Sequence, residues 1–331
     1  MNDVSKTTRI AVLGSANMDL VVRQPRLPQP GETIFGSGYG TVPGGKGLNQ
    51  AVAAARQGGD VDFLGAVGAD AYGHELRDLV AAEGIGAAGL AEAGEPTGTA
   101  HISVVDSGEN SIVVVSGANA TVTALTAGQE EIIRQSAFLV MQCELPVGAL
   151  AAGIAVARAH GVFTVLTPAP VVPLPEGFLA SVDLVVPNQI EATELTGESD
   201  PVRAAELLSA GKTWAIVTLG SQGCVVAYDG EVLGLAPARP VTAVDTTAAG
   251  DTFVGALVAR LASAGGVLAG GVLAGDGPGK GGPVDAASVG ISDERMIDAV
   301  RWATVASSIS VTRPGATSSM PTLAEVAAIL A

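Results

Sequence analysis

The sequence predicts an α/β fold in which a doubly wound, mainly parallel sheet is flanked by helices and carries a small β-sheet lid. Three observations point there. Short β-branched runs alternate with amphipathic stretches along the chain. Those runs are apolar almost throughout, as strands covered on both faces are, instead of apolar at every second residue. Two turn-rich segments then interrupt the alternation.

Taken in order, "RIAVLGS" reads as the first buried strand, "KGLNQAVAAARQG" as a helix, "VDFLGAVG" as the next strand and "AYGHELRDLVAAEG" as its helix. The rhythm resumes with the strand "AFLVMQCE", the helix "ALAAGIAVARAHG" and the strands "FTVLTPA", "VDLVVPN" and "TWAIVTLG". The interruptions lie at 20–42 and 97–116, where Gly, Pro and Asp-Ser-Gly turns join short strands and "VVDSGENSIVV" reads as a hairpin. Together they predict a small projecting sheet, a lid on a single domain spanning 1–331. Residues 262–292 hold a tandem "GGVLAG" and many glycines, which disfavour a helix and predict a surface loop.

Composition narrows the function. With 331 residues, 48% of them hydrophobic, the chain can bury a large core. A formal net charge of −16 with 17 basic residues lacks the positive footprint for nucleic acid or an anionic membrane, so a small ligand is expected. "MNDVSKTTRI" has no apolar signal-peptide core and no run spans a bilayer, which predicts a cytoplasmic protein. Cys143 and Cys224 sit in apolar runs as core thiols, and His74, His101 and His160 are too dispersed for a metal cluster or a Ser-His-Asp triad.

The segment "TTAAGDTFVGAL" (246–257) places Ala248, Ala249, Gly250 and Asp251 just ahead of an apolar helical run. Small residues at a helix start let an anion approach the unpaired N–H groups. Asp251 is then within reach of whatever carries the anion and can act as a general base toward a hydroxyl, or it can simply cap the helix. "VPGGKGLNQ" offers a second helix start, with Gly45, Lys46 and Asn49. It is no P-loop, because Gly47 stands where a magnesium-holding Ser or Thr belongs; nor does "GSGYG" make a dinucleotide fingerprint. Asn17 and Asp19, at the end of the first strand, fall on one side of an extended segment and can read adjacent hydroxyls. Glu144, Asn188 and Glu191 follow later strands, at the carboxyl ends where α/β sheets gather ligands, though each alone also suits a turn or cap.

These segments together resemble the ribokinase-like (phosphofructokinase B) carbohydrate kinases. The likeness runs from "VLGSANMD" through "PGETIFG", "GGKGLNQAVAAARQG", "GANA", "LTPAP", "PNQIEATELTG" and "VTLGSQG" to "VDTTAAGDTFVGAL" and "ISVTRPGATSSMP". The GG-K-G-x-N and D-T-x-A-A-G-D-x-F segments are the family's two signatures. The resemblance implies ATP-dependent phosphorylation of a small sugar, D-ribose at O5, with Asp251 as base and Ala248, Ala249 and Gly250 as anion hole. It implies sugar contacts from Asn17, Asp19, Gly45, Lys46, Asn49 and Glu144. Thr218, Gly220, Ser221 and Gly223 fall on an ATP-binding turn, Thr304 where some members stack a histidine on adenine, and Asn188 and Glu191 on an element tied indirectly to magnesium. Asp245, Thr247, Ser310, Arg313, Gly315 and Ser319 match a potassium site, and a homodimer through the lid is implied. The 262–292 insertion departs from the family pattern and is expected far from the site. Alternatives are another acceptor (2-deoxyribose, fructose or a nucleoside such as adenosine) or a non-catalytic sugar sensor. A chain only 3% aromatic disfavours a nucleoside.

Overall fold

The computed structural model describes residues 8–263 and 291–331; the glycine-rich stretch expected as a loop therefore lies almost wholly outside the described residues. The chain opens with β1 (Ile10–Leu13), β2 (Asn17–Gln24), β3 (Gly38–Gly44), α1 (Lys46–Arg56), β4 (Val61–Gly68), α2 (Ala71–Ala82), β5 (Gly86–Ala93), β6 (Gly98–Val105) and β7 (Asn110–Val115). It continues through α3 (Ala127–Gln135), β8 (Phe138–Gln142), α4 (Val147–His160), β9 (Phe163–Thr167), β10 (Leu184–Val185), α5 (Gln189–Thr196), α6 (Pro201–Leu208) and β11 (Trp214–Thr218). Strands β12 (Cys224–Tyr228) and β13 (Glu231–Ala236) and helices α7 (Ala249–Ser263), α8 (Asp293–Ser310) and α9 (Leu323–Leu330) complete it.

Among the described residues the strands form two sheets. The larger has the order β13-β12-β11-β10-β9-β8-β1-β4-β5, parallel from β11 to β5 and antiparallel at β12 and β13. Because side chains alternate across a strand, Ile10 and Val12 enter the core shared with α1, α7 and α8, while Ala11 and Leu13 enter the core under α4. Every residue of β1 is buried, which is why its apolar run is unbroken.

The smaller sheet has the order β3-β2-β6-β7. It contains the expected hairpin, β6 against β7, but its strands reach beyond the predicted segment at the inner end, to Asn17 and Gly44. Asn17 and Asp19 accordingly belong to β2 and not to the end of β1. Residues 14–16 separate the two strands, and the pairing of Asn17 with Gly44 and of Asp19 with Val42 carries the small sheet down to the root of the large one. Its edge strand β7 leaves Ile112, Val113, Val114 and Val115 about half exposed (52%, 61%, 49% and 51%). No helix among the described residues is long and apolar enough to cross a membrane.

Candidate active site

The carboxyl ends of β1, β8, β9, β10 and β11 converge with the starts of α1 and α7, and the small sheet stands beside them. Gly44 and Gly45 make the close approach possible. Gly45 has φ +91°, and a Cβ there would lie 2.8 Å from the Asn17 amide nitrogen. A Cβ on Gly44 would come within 2.3 Å of Asp19 Oδ2. The glycine pair thus lets the first turn of α1 press against β2: a Cβ on Gly44 would displace the Asp19 carboxylate, and one on Gly45 would strike the main chain of residues 15–17.

Glu144 sits at that turn. Its Oε2 accepts from the Lys46 amide at 3.1 Å and from the Ser15 hydroxyl, so a carboxylate meets the positive end of α1. Asn17 is buried, and its Oδ1 accepts from Asn119 Nδ2 at 2.7 Å; Asn119 in turn is locked to both the amide and the carbonyl of Ala16. Burial, with Glu144 and Asp251 nearby, pushes the Asp19 carboxyl up to about 7 against the pull of Lys46. Burial alone would lower the Lys46 ammonium, but Asp251, Glu144, Glu191 and Asp19 outweigh it and hold the group above its ordinary value. Four carboxylates therefore surround one half-buried cation.

Asp251 lies in the first turn of α7 and is 8% exposed. It does not cap the helix. Its Oδ2 accepts from Asn49 Nδ2 and its Oδ1 from Gln50 Nε2, both at 3.0 Å. The turn before it is bent by Ala248 at φ +56°, a conformation that non-glycine residues seldom adopt. Nothing lies within 4 Å of where a Gly250 Cβ would stand, so the backbone there faces open space. Gly250 and Asp251 carry first-turn amides, which a helix cannot satisfy internally. A bare, electropositive backbone beside a fixed carboxylate is the arrangement that the sequence suggested.

On the other side of Gly250 is a cavity of about 490 Å³ lined by Thr218, Gly220, Ser221, Gly223, Gly250 and Thr304, the expected nucleotide contacts, and by Ala249 of the expected anion hole. Arg239, Pro240, Val241, Phe253, Ser307 and Ser308 complete much of the wall. Thr304 is tied to the Val300 carbonyl at 2.8 Å and presents no ring. Asn188 and Glu191 do not line the cavity; they form a capping box on α5, with Asn188 Oδ1 accepting from the Glu191 amide at 2.9 Å and Glu191 Oε2 from the Asn188 amide at 2.8 Å. Burial raises the Glu191 carboxyl, partly offset by the Asn188 amide and by Lys46.

Of the predicted cation residues, Asp245, Thr247 and Gly315 meet directly: Asp245 Oδ1 accepts from the Thr247 amide and Oδ2 from the Gly315 amide, each at 2.9 Å. Burial opposes the charge on Asp245, but these bonds prevail and hold its carboxyl below the usual value. Ser310 and Arg313 share a turn (Arg313 N to Ser310 O, 3.0 Å), and the main chain of the same segment meets Val244 and Asp245 through the Val311 carbonyl. The Arg313 guanidinium turns away to Glu325, and the Ser319 hydroxyl is spent on the Ala316 carbonyl.

Sequence reasoning missed Asn119, Ser15, Gln50 and Gln142. Asn119 lies in the quoted "GANA" and Gln50 directly follows Asn49, so adjacency to the motifs was the available signal.

The sequence pattern of the pfkB family carbohydrate kinases matches residues 7–323. The chain is 37% identical over 327 residues to a ribokinase of Haemophilus influenzae, covering 96% of each, and 37% identical to one of Schizosaccharomyces pombe, again covering 96% of each. Among solved structures it resembles a ribokinase of Thermotoga maritima (TM-score 0.80, 32% identity, 97% of this chain and 98% of that one). It also resembles Arabidopsis thaliana ribokinase complexed with ribose and ATP (TM-score 0.83, 28% identity, 98% and 99%). With the family pattern spanning nearly the whole chain and the site assembled at both signature segments, the chain belongs to the pfkB family of carbohydrate kinases.

Proposed function

We propose that the chain transfers the terminal phosphoryl group of ATP to O5 of D-ribose, giving ribose 5-phosphate and ADP. The observation that carries this reading is the buried Asp251 carboxylate, fixed by two amides and set at the edge of the open Gly250 backbone. Asn17, Asp19, Gly45, Lys46, Asn49 and Glu144 hold the sugar. Asn49 Oδ1 is buried without a protein partner among the described residues, and a sugar hydroxyl would satisfy it.

Asp251 takes the proton from the primary hydroxyl as that oxygen bonds to the terminal phosphorus and the bond to the ADP oxygen breaks. The Ala248–Gly250 backbone receives the charge on the moving group. Thr218, Gly220, Ser221, Gly223 and Thr304 hold the nucleotide. Magnesium, when bound with the phosphates, neutralises their charge; Asn188 and Glu191 stand nearest that role, and Glu191 would act through the ion's waters. Potassium would be held by the ionised Asp245 and by the main chain around Thr247, Ser310, Arg313, Gly315 and Ser319, steadying the turn that leads to Gly250. The small sheet serves as a lid that excludes water, and its half-exposed β7 meets a second copy to form a homodimer. The reaction belongs in the cytoplasm.

The test is ADP release over a panel of ribose, 2-deoxyribose, fructose and adenosine, with and without potassium. Ribose should give the highest kcat/KM, and potassium should raise it. Preference for another acceptor would overturn the substrate, and no turnover with any would overturn the reading. Light scattering at micromolar concentration should return twice the chain mass.

A further inference from the structure

The geometry points to Gln50 and Gln142 as positioning residues, a buried amide chain that dictates how the Asp251 carboxylate faces; this rests on Asp251 acting as the base. An ionised carboxylate accepts and never donates, so the group that Gln50 presents to Asp251 Oδ1 has to be its NH2. The second proton of that NH2 is directed to Thr167 Oγ1 at 3.2 Å. Gln50 Oε1 is then turned toward Gln142, whose Nε2 donates to it at 2.7 Å. Gln50 and Gln142 are 1% and 0% exposed, so water does not compete for these bonds.

Gln142 ends the chain with its own Oε1 buried and without a protein partner among the described residues. An unpaired buried carbonyl is destabilising, yet turning the amide over would set its oxygen against Gln50 Oε1. The orphan is therefore the consequence of an orientation imposed from the carboxylate end. Room for it comes from Gly14, where a Cβ would lie 2.1 Å from Gln142 Oε1. With Asn49 on the other carboxylate oxygen, Asp251 is clamped at both oxygens, and the last residues of β8 and β9 anchor a base carried on α7.

The experiment compares Gln50→Met, Gln142→Met and the double variant, all near in volume to the native residues. Gln50→Met should lower kcat by about tenfold to a hundredfold with the ribose KM within about twofold, the signature of a misaimed base. Gln142→Met should lower kcat by less, about threefold to tenfold, and the double variant should match Gln50→Met within about twofold, because Gln142 acts only through Gln50. Losses that multiply would overturn the chain and indicate two independent packing defects.

The Gln50 side-chain amide resonance in full-length protein supplies a readout independent of turnover. Its signal should move in Asp251→Asn and in Gln142→Met; an unmoved signal in either overturns the inference. Should Gln50→Met fail to fold, the Gln142→Met spectrum still decides. Signals that respond as expected while the wild-type protein phosphorylates no sugar would instead sink the proposed activity and leave the clamp standing.

Discussion

Around Asp19, Lys46, Glu144 and Asp251 the site is made of charged side chains, half-buried or buried, with Glu144 and Asp251 held by amide donors. Across Gly250, the cavity of about 490 Å³ is walled by glycines, small hydroxyl residues and apolar side chains, with Arg239 the one charged residue among the described residues of its lining. The difference teaches where selectivity resides. A sugar offers hydroxyls that only placed side-chain partners can distinguish, and leaving such a partner unpaired in a buried site is costly. A nucleotide's phosphates offer charge that helix-start amides bind whatever the side chains are. Substitutions on the first side should therefore alter chemistry and acceptor choice, and substitutions on the second should do little.

The largest expected effect is from Asp251→Asn, which keeps the shape and removes the proposed base: kcat should fall by a factor on the order of 10² to 10⁴, while nucleotide binding measured by calorimetry stays unchanged. Loss of nucleotide binding as well would erase the contrast between the two sides.

Next comes Asp19, whose carboxyl is pushed up to about 7 by burial and by Glu144 and Asp251. Below that pH it is neutral and keeps a proton; above it, both oxygens accept from hydroxyls. The ribose KM should therefore fall as pH rises from 6 to 8 by about tenfold, and Asp19→Asn should raise KM and flatten the profile. A wild-type KM flat across that range would show that Asp19 does not read the sugar.

The smallest effects belong to the wall of the proposed nucleotide cavity. Ser221→Ala and Thr304→Val, which remove hydroxyls at the cavity, should each change the ATP KM by less than about fivefold, the loss of one exchangeable hydrogen bond. A change as large as that from Asp251→Asn would mean that this wall also selects by side chain.

Much of the architecture was legible because buried parallel strands write themselves as unbroken apolar runs: β1, β4, β8, β9 and β11 each lie within a predicted segment. The two signature segments were legible because small residues stand directly ahead of a helix start in both and because both match the family pattern. What stayed hidden was pairing at long range. Nothing local in "LVMQCE" or "GLNQA" says that Gln142 and Gln50 meet across 92 positions, or that Asn119 reaches Asn17 across 102. Taken alone, Asp251 suited a cap and only its neighbouring motifs made it a base; in the structure its carboxylate faces Asn49 and Gln50. Arg239, Pro240 and Val241 line the cavity from a segment without regular structure, where no periodicity marks them.

The most direct test of the account is a crystal structure with ribose and a non-hydrolysable ATP analogue bound together. It should place an Asp251 carboxylate oxygen at about 2.6–3.2 Å from ribose O5, in line with the terminal phosphate over the Gly250 backbone. A sugar seated away from Asp19 and Asn17, or a carboxylate swung off O5 with its amide partners released, would contradict it.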